Sequence, residues 1–371
     1  MTDAAIWERV FALAERGRYS TSPNPRVGAV IVAPDGTVVA EGWHERAGGP
    51  HAEAAALAAA GARARGATVF LNLEPCAHHG RTPPCSDALA AAGVGRVVFS
   101  LRDPDPRTAG RGASRLREAG IAVEEGAHRE RAERVNEPFL ASVRAGRPYV
   151  HLKWAASLDG KIATRTRASR WITGEEARGD AMALREECDA VLVGAGTVVA
   201  DDPALTRRAG LNRSIVPHRR VVLDGRLRVS AEARVFSPGG AGEAWLATAR
   251  DPADPALTPF RDRGVRVLSL PSGEGRVDLG ALLAELGAVE VRSLLVEGGG
   301  ETAWDFLAAG VADRITGYVA PLVLGGRDAP GAVGGIGASE VAEGIRLEGL
   351  ELSSIGADVR FTGRVRHGGR A

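Results

Sequence analysis

A chain of 371 residues is long enough for two domains and too long to read easily as one. Its 44% hydrophobic and 25% charged residues are ordinary globular proportions, which excludes collagenous, low-complexity and broadly disordered chains. The formal charge of +1, the lack of a polybasic tail or a membrane-length apolar run, and an N-terminal segment charged through its apolar stretch argue against nucleic acid or a membrane as partner and against secretion; a cytoplasmic protein is expected.

In chain order, Asp3 can cap a helix whose apolar residues Ile6, Val10, Phe11 and Leu13 share one face, closed at Gly17. Two strands, 27–33 and 37–44, flank the turn dipeptide Asp35-Gly36 and read as a hairpin. Helices at 51–61, 86–93 and 113–120 then alternate with strands at 68–74, 96–101 and 121–126, which implies βαβ crossovers and a sheet covered by helices. A polar helical stretch over 129–146 leads to Pro148, so the domain boundary falls near 146, giving domains 1–146 and 147–371. The second domain repeats the α/β alternation. Its strands are expected at 149–157, 189–194, 219–223, 244–247, 265–270, 292–296, 314–323 and 358–365, with helices at 175–187, 278–287 and 301–309. Stretches 202–217 and 250–259, with Pro and Gly, read as surface connections or lids.

Residue usage is skewed. The chain has 2 lysines against 45 arginines and no glutamine, so Lys153 and Lys161 stand out as compact ammonium groups that arginine did not replace. Three cysteines, Cys76, Cys85 and Cys188, are too few for a disulfide framework, and a close intracellular pair reads as metal-binding or catalytic. Four of the eight histidines lie between positions 44 and 79.

The strongest chemical signal is His51-Ala52-Glu53 at a helix start, then Glu74-Pro75-Cys76 at a strand end, then Cys85 just before the next helix. One imidazole and two thiolates give zinc three protein ligands and leave a position for water, as catalytic rather than structural sites do. Glu53, two residues from His51, would point at that water and shuttle its proton, the division of labour written H-x-E…P-C-x-x-C in zinc deaminases of bases. The eight residues AHHGRTPP between the cysteines depart from that spacing. A lone histidine at a helix start is more often structural; the joint pattern, in order within an α/β alternation, favours the metal.

No G-x-G-x-x-G follows the first strand of the second domain. Gly298, Gly299 and Gly300 do separate an apolar strand from a helix start, where bare backbone N–H groups could cradle a nucleotide phosphate.

The segments TSPNPRVGAVIV (21–32), GWHERAGGPHAEAAAL (42–57), LEPCAHHGRTPPCSDAL (73–89) and DPDPRTAGRG (103–112) closely resemble the bifunctional riboflavin-biosynthesis family of diaminohydroxyphosphoribosylaminopyrimidine deaminase / 5-amino-6-(5-phosphoribosylamino)uracil reductases. KWAASLDGKIAT (153–164), SRWITG (169–174), VGAGTVVADDPALTRR (193–208) and VEGGGETAWDFL (296–307) are similar to its reductase half, so the likeness covers nearly the whole chain. It implies a cytidine-deaminase-like α/β/α sandwich followed by a dihydrofolate-reductase-like α/β domain. It also implies zinc on His51, Cys76 and Cys85, with Glu53 as proton shuttle. Asn24, His44, His78 and Arg81 would line the pyrimidine and phosphate pocket, Arg81 standing where some relatives carry lysine. Each has a structural alternative: a turn for Asn24, a surface or outer-sphere role for the histidines.

For the second domain the resemblance implies NADPH and reduction of a ribosyl group to ribityl at C1′ through a ring-opened imine. Lys153 would be the catalytic cation. Ala155, Trp171, Thr197, Gly299 and Gly300 fall where the family contacts the cofactor, and Asp201 is counted with them although it could also bind sugar hydroxyls or relay protons. Ser169, Arg185, Leu205, Arg208 and Glu297 would contact the substrate, the arginines through its phosphate. The structural alternatives are a solvated lysine, a core tryptophan, helix caps and surface arginines. Gly225 matches the family less clearly, and no arginine pair for the 2′-phosphate of NADPH is legible. A homo-oligomer acting on a phosphorylated pyrimidine is expected. The rival readings are a deaminase whose second domain only binds a nucleotide, and a nucleic-acid editing deaminase, which the charge and the lack of aromatics between the cysteines disfavour.

Overall fold

The computed structural model describes residues 2–78, 83–207, 215–237 and 242–366. The chain forms two compact units, Met1–Gly146 with Arg213–Val216, and Arg147–Asn212 with Pro217–Ala371.

The first unit opens with α1 (Asp3–Glu15), whose N-cap is Thr2 and not Asp3: the Thr2 hydroxyl accepts from the Ala5 amide at 3.4 Å. Asp3 sits one step later, in the first turn, where its charge complements the helix dipole. The hairpin of β1 (Gly28–Val32) and β2 (Val38–Trp43) follows. Then come α2 (Ala52–Ala60), β3 (Thr68–Leu71), α3 (Cys85–Ala92), β4 (Arg96–Phe99), α4 (Arg111–Glu118), β5 (Ala122–Glu125), α5 (Arg129–Val135) and α6 (Glu137–Ala145). The sheet order is β2-β1-β3-β4-β5, with β1 antiparallel to both neighbours and β3, β4 and β5 parallel. Because strand side chains alternate between faces, Ile31, Val69, Val97 and Phe99 pack with Ala56, Leu89 and Leu116 of α2, α3 and α4, while Val30, Phe70 and Val98 pack with Trp7, Phe11 and Leu140 of α1 and α6. The result is an α/β/α sandwich.

The second unit runs β6 (Tyr149–Ser157), α7 (Glu175–Glu187), β7 (Ala190–Gly194), α8 (Ala195–Asp201), β8 (Arg219–Leu223), β9 (Ala244–Thr248), α9 (Thr258–Asp262), β10 (Arg266–Ser269), α10 (Leu279–Ala288), β11 (Ser293–Glu297), α11 (Gly300–Ala308), β12 (Arg314–Ala320), β13 (Leu347–Ile355) and β14 (Asp358–Val365). Its sheet order is β10-β9-β8-β7-β11-β6-β12-β14-β13, parallel from β10 to β12 and antiparallel beyond. The central strands are buried on both faces, as parallel sheets require: Leu192, Val221 and Val296 face α10 and α11, and Val193, Val222 and Leu246 face the other side. Two elements escape the sequence pattern. The β13 strand forms the sheet edge with most of its residues exposed, so it lacks an inward apolar alternation. The α8 helix contains Thr197, Val198 and Val199, β-branched residues of modest helix propensity. The stretch 250–259 is a surface connection only in part, since Leu257 is fully buried and α9 starts at Thr258.

Candidate functional site

Three elements of the first unit bring the metal-ligand candidates together. His51 is the residue before α2, Cys76 follows β3 by a short segment, and Cys85 opens α3. The His51 Nδ1 lies 3.6 Å from Cys76 Sγ and 3.3 Å from Cys85 Sγ, and all three ligand atoms fall within 4.8 Å of one another. A tetrahedral zinc with bonds of about 2.0–2.1 Å to nitrogen and 2.3 Å to sulfur puts N and S roughly 3.5 Å apart, so the arrangement fits the ion. The hydrogen bond from Cys85 and the nearby His51 pull the Cys76 thiol down in pKa, while Cys76 and burial push Cys85 up. A divalent cation would displace the proton that remains.

Around this triad sit the other candidates. Glu53, in the first turn of α2, is buried, and burial raises its carboxyl to about 7 against the lowering effect of His51. The His44 Nδ1–H donates to the Pro50 carbonyl at 2.8 Å, which leaves Nε2 to accept from Asn24 Nδ2 at 3.0 Å. The His44 and His51 rings meet edge to face with centroids 5.4 Å apart. Burial lowers the His44 pKa, in keeping with a neutral ring. His78 Nδ1 is 3.1 Å from the hydroxyl of fully buried Thr108. Arg81 lies outside the described residues.

Two residues that sequence reasoning gave no role prove central to this geometry. Buried Glu74 accepts from the amides of Asp103 (3.3 Å), Gly110 (3.0 Å) and Ala113 (3.0 Å), tying the 103–113 segment to the strand end that carries Cys76. Thr108, on that same segment, reaches His78. The only signal in the sequence is an acidic residue immediately before Pro75-Cys76; its partners are some thirty positions away and no pattern links them.

In the second unit a cleft of about 1980 Å³ crosses the C-terminal ends of β6, β11, β7 and β8, where open α/β sheets bind ligands. Lys153, Ala155, Ser169, Trp171, Arg185, Thr197, Asp201, Leu205, Glu297, Gly299 and Gly300 all line it, whereas Arg208 lies outside the described residues. Arg185 and Glu297 are bonded to each other in a buried bidentate pair at 2.7 and 2.9 Å, and Arg185 Nη1 also donates to the Thr206 carbonyl at 3.2 Å. Burial alone would raise the Glu297 pKa, but Arg185, followed by Lys153, brings it down to about 2. Burial and Arg185 lower the Lys153 pKa, and Glu297 opposes that shift. Ser169 donates to Asp201 Oδ1 at 2.9 Å, and Trp171 is 61% exposed with the Arg178 guanidinium 4.5 Å from its ring centroid. Trp171 is therefore a cleft wall and not core.

The glycines make room for a ligand at backbone level. Gly298 and Gly299 have φ of 72° and 79°, and a Cβ on Gly300 would stand 2.6 Å from the Gly331 carbonyl oxygen. A Cβ on Gly194 would collide with Thr302 Oγ1 at 2.2 Å. This bare turn opens α11, a nine-residue helix, and suits a dinucleotide pyrophosphate.

Residues 148–361 match the family described as RibD C-terminal domain, and residues 1–101 match the cytidine and deoxycytidylate deaminase zinc-binding region. The riboflavin biosynthesis protein RibD of Escherichia coli is 43% identical over 369 residues, covering 97% of this chain and 98% of its own. The chain belongs to the RibD family. A solved Acinetobacter baumannii RibD superposes with a TM-score of 0.86 at 35% identity, covering 98% of this chain and 99% of that one. A Thermotoga maritima structure described as a diaminohydroxyphosphoribosylaminopyrimidine deaminase/5-amino-6-(5-phosphoribosylamino)uracil reductase gives 0.82 at 34% identity, with 98% of each chain covered. This RibD chain is thus a bifunctional deaminase and NADPH-dependent reductase of riboflavin biosynthesis, with a zinc-binding deaminase domain. Among the described residues no helix is long and apolar enough to cross a membrane.

Proposed function

We propose that residues 1–146 carry out hydrolytic deamination of 2,5-diamino-6-(5-phosphoribosylamino)pyrimidin-4(3H)-one and residues 147–371 the reduction of 5-amino-6-(5-phosphoribosylamino)uracil. The observation that carries the first half is the convergence of His51, Cys76 and Cys85 beside Glu53. Zinc held there supplies Lewis acidity that activates water. Glu53, poised near neutrality, takes the proton of the attacking water and delivers it to the departing ammonia. Asn24 and His44, fixed by their mutual bond and by Pro50, form the polar wall that orients the pyrimidine edge. His78 and Arg81 hold the phosphate.

In the second half NADPH supplies the hydride. Lys153 gives a proton to the nitrogen as the C1′=N bond becomes CH–NH, so the added hydride and proton balance. Glu297 keeps the ammonium in place and, with Arg185, borders the sugar phosphate; Arg208, Leu205 and Ser169 complete that wall, and Ala155, Trp171, Thr197, Asp201, Gly299 and Gly300 hold the cofactor. The support is the buried Arg185–Glu297 pair beside Lys153 at the mouth of a glycine-lined cleft. We further infer a cytoplasmic enzyme that binds no nucleic acid and assembles as a homo-oligomer. Exposed Leu350, Leu352 and Val359 on the outer strands β13 and β14 offer an apolar surface for a second copy, which light scattering would test.

Complementary substitutions test the assignment. Glu53→Gln should retain metal and reduction but lose deamination by roughly 100-fold or more, the usual weight of a general acid–base. Lys153→Met should retain deamination and lose reduction. Retained deamination in the first, or retained reduction in the second, would overturn the roles given to those residues.

A further inference from the structure

Almost every arginine that lines the reductase cleft is already engaged. Arg185 pairs with Glu297, Arg276 with Asp305 at 2.8 Å, Arg170 and Arg234 donate to the carbonyls of Asp201 and Asp202, and Arg178 donates to the Thr173 carbonyl. Arg226 and Arg228 differ. Both are exposed, both line the cleft, and neither has a carboxylate partner among the described residues; Arg226 has only a long 3.3 Å bond to the Glu274 carbonyl.

The loop that carries them is held firmly. Asp224, 1% exposed at the end of β8, accepts from the amides of Arg228 (2.6 Å) and Val229 (2.8 Å). A Cβ on Gly225 would stand 2.1 Å from the Gly275 carbonyl oxygen, so the 225 and 275 backbones are in contact. Leu227, between the two arginines, packs toward the core, which directs its neighbours outward. In dinucleotide-binding sheets an acidic residue near this position takes the ribose 2′-hydroxyl of NADH, whereas arginine accommodates the 2′-phosphate of NADPH. Here the acidic residue is buried and bonded to backbone, and the arginines are what the cleft meets.

The spacing agrees. From Lys153 on β6 across β11 and β7 to β8 is three strand steps, about 14 Å, with the Gly298–Gly300 turn in between. That suits an extended dinucleotide with its reactive ring near Lys153 and its adenosine near Arg226.

We propose that Arg226 and Arg228 form the subsite for the adenosine 2′-phosphate and so set the preference for NADPH over NADH. The proposal rests on the cofactor reading of the cleft. Each guanidinium would make charge-assisted hydrogen bonds to phosphate oxygens, and lysine at either position would keep only a point charge.

The test is calorimetry of the full-length enzyme with two adenosine fragments, 2′,5′-ADP and 5′-AMP, beside steady-state reduction with NADPH and NADH. Wild type should bind 2′,5′-ADP more tightly than 5′-AMP, with an advantage that shrinks as salt rises. The double variant Arg226→Ala/Arg228→Ala should lose about 10- to 100-fold in 2′,5′-ADP affinity. Its 5′-AMP binding and its deamination should be unchanged, and its NADPH:NADH ratio of kcat/KM should fall by a similar factor. Lysine in both positions should restore part of the preference. Unchanged 2′,5′-ADP affinity in the alanine variant would overturn the subsite while leaving the cofactor reading intact. Failure of the wild type to bind either fragment or NADPH would overturn both.

Discussion

Thr108 orients His78 through a contact that depends on a hydroxyl thirty positions away in the chain, 3.1 Å from the ring. Thr108→Val keeps the buried shape and deletes the bond. The expected result is a rise of about 2- to 12-fold in KM for deamination, the weight of one hydrogen bond, with kcat and thermal midpoint nearly unchanged and with Thr108→Ser restoring the wild-type value. His78→Ala serves as the reference: if it leaves KM unaltered, His78 is no phosphate ligand, whereas an effect at His78 with none at Thr108 would remove only the orienting role. At Lys153 the prediction concerns pH. Burial and Arg185 lower its pKa from 10.5, so the charged form is lost as pH rises through a value below that of free lysine, and reduction should fall on the alkaline side there. Lys153→Arg stays charged and should show no such limb, whatever its residual rate. A flat alkaline profile in the wild type would contradict the role. Single residues were legible in the sequence where the chemistry is written contiguously, as in His51-Ala52-Glu53 and Pro75-Cys76. They were not legible where the partner comes from a distant loop, as with Glu74, Thr108 and the Arg185–Glu297 pair, because pair geometry is a property of the fold and not of local pattern.

Elements whose side chains alternate cleanly between two buried faces could be read ahead of the structure: the β1–β2 hairpin with Asp35-Gly36 at its tip, the alternating helices and strands after it, and the β11-to-α11 turn all fall where periodicity puts them. The edge strand β13 does not, since an exposed strand has no inward face to mark it. Element packing also accounts for a glycine that the sequence leaves silent. A Cβ on Gly112, in the first turns of α4, would stand 2.0 Å from the Pro75 carbonyl oxygen, so this helix lies directly on the segment that presents Cys76. Gly112→Ala must push α4 away or bend that segment, at a cost of about 1–3 kcal/mol, the range for overpacking. The expected outcome is lower bound zinc by elemental analysis and weakened deamination, with reduction by the second unit preserved. Full zinc content in the variant would show that the helix can shift without disturbing the ligands.

At the scale of the molecule, the account is of two chemistries on one chain, each with its own core, its own sheet and its own class of cofactor. The metal centre is assembled from residues before Gly146, and the cleft entirely from residues after it. That division gives the most direct test: incubate the purified enzyme with the diaminopyrimidine ribosyl phosphate and NADPH, and follow ammonia release and NADPH absorbance separately, with and without a zinc chelator. The account predicts both signals without chelator. With chelator, ammonia release should stop while reduction of substrate that has already been deaminated continues at its full rate. Ammonia release without NADPH loss would reduce the second unit to a binding module, and chelator-insensitive deamination would contradict the metal centre on which the first half rests.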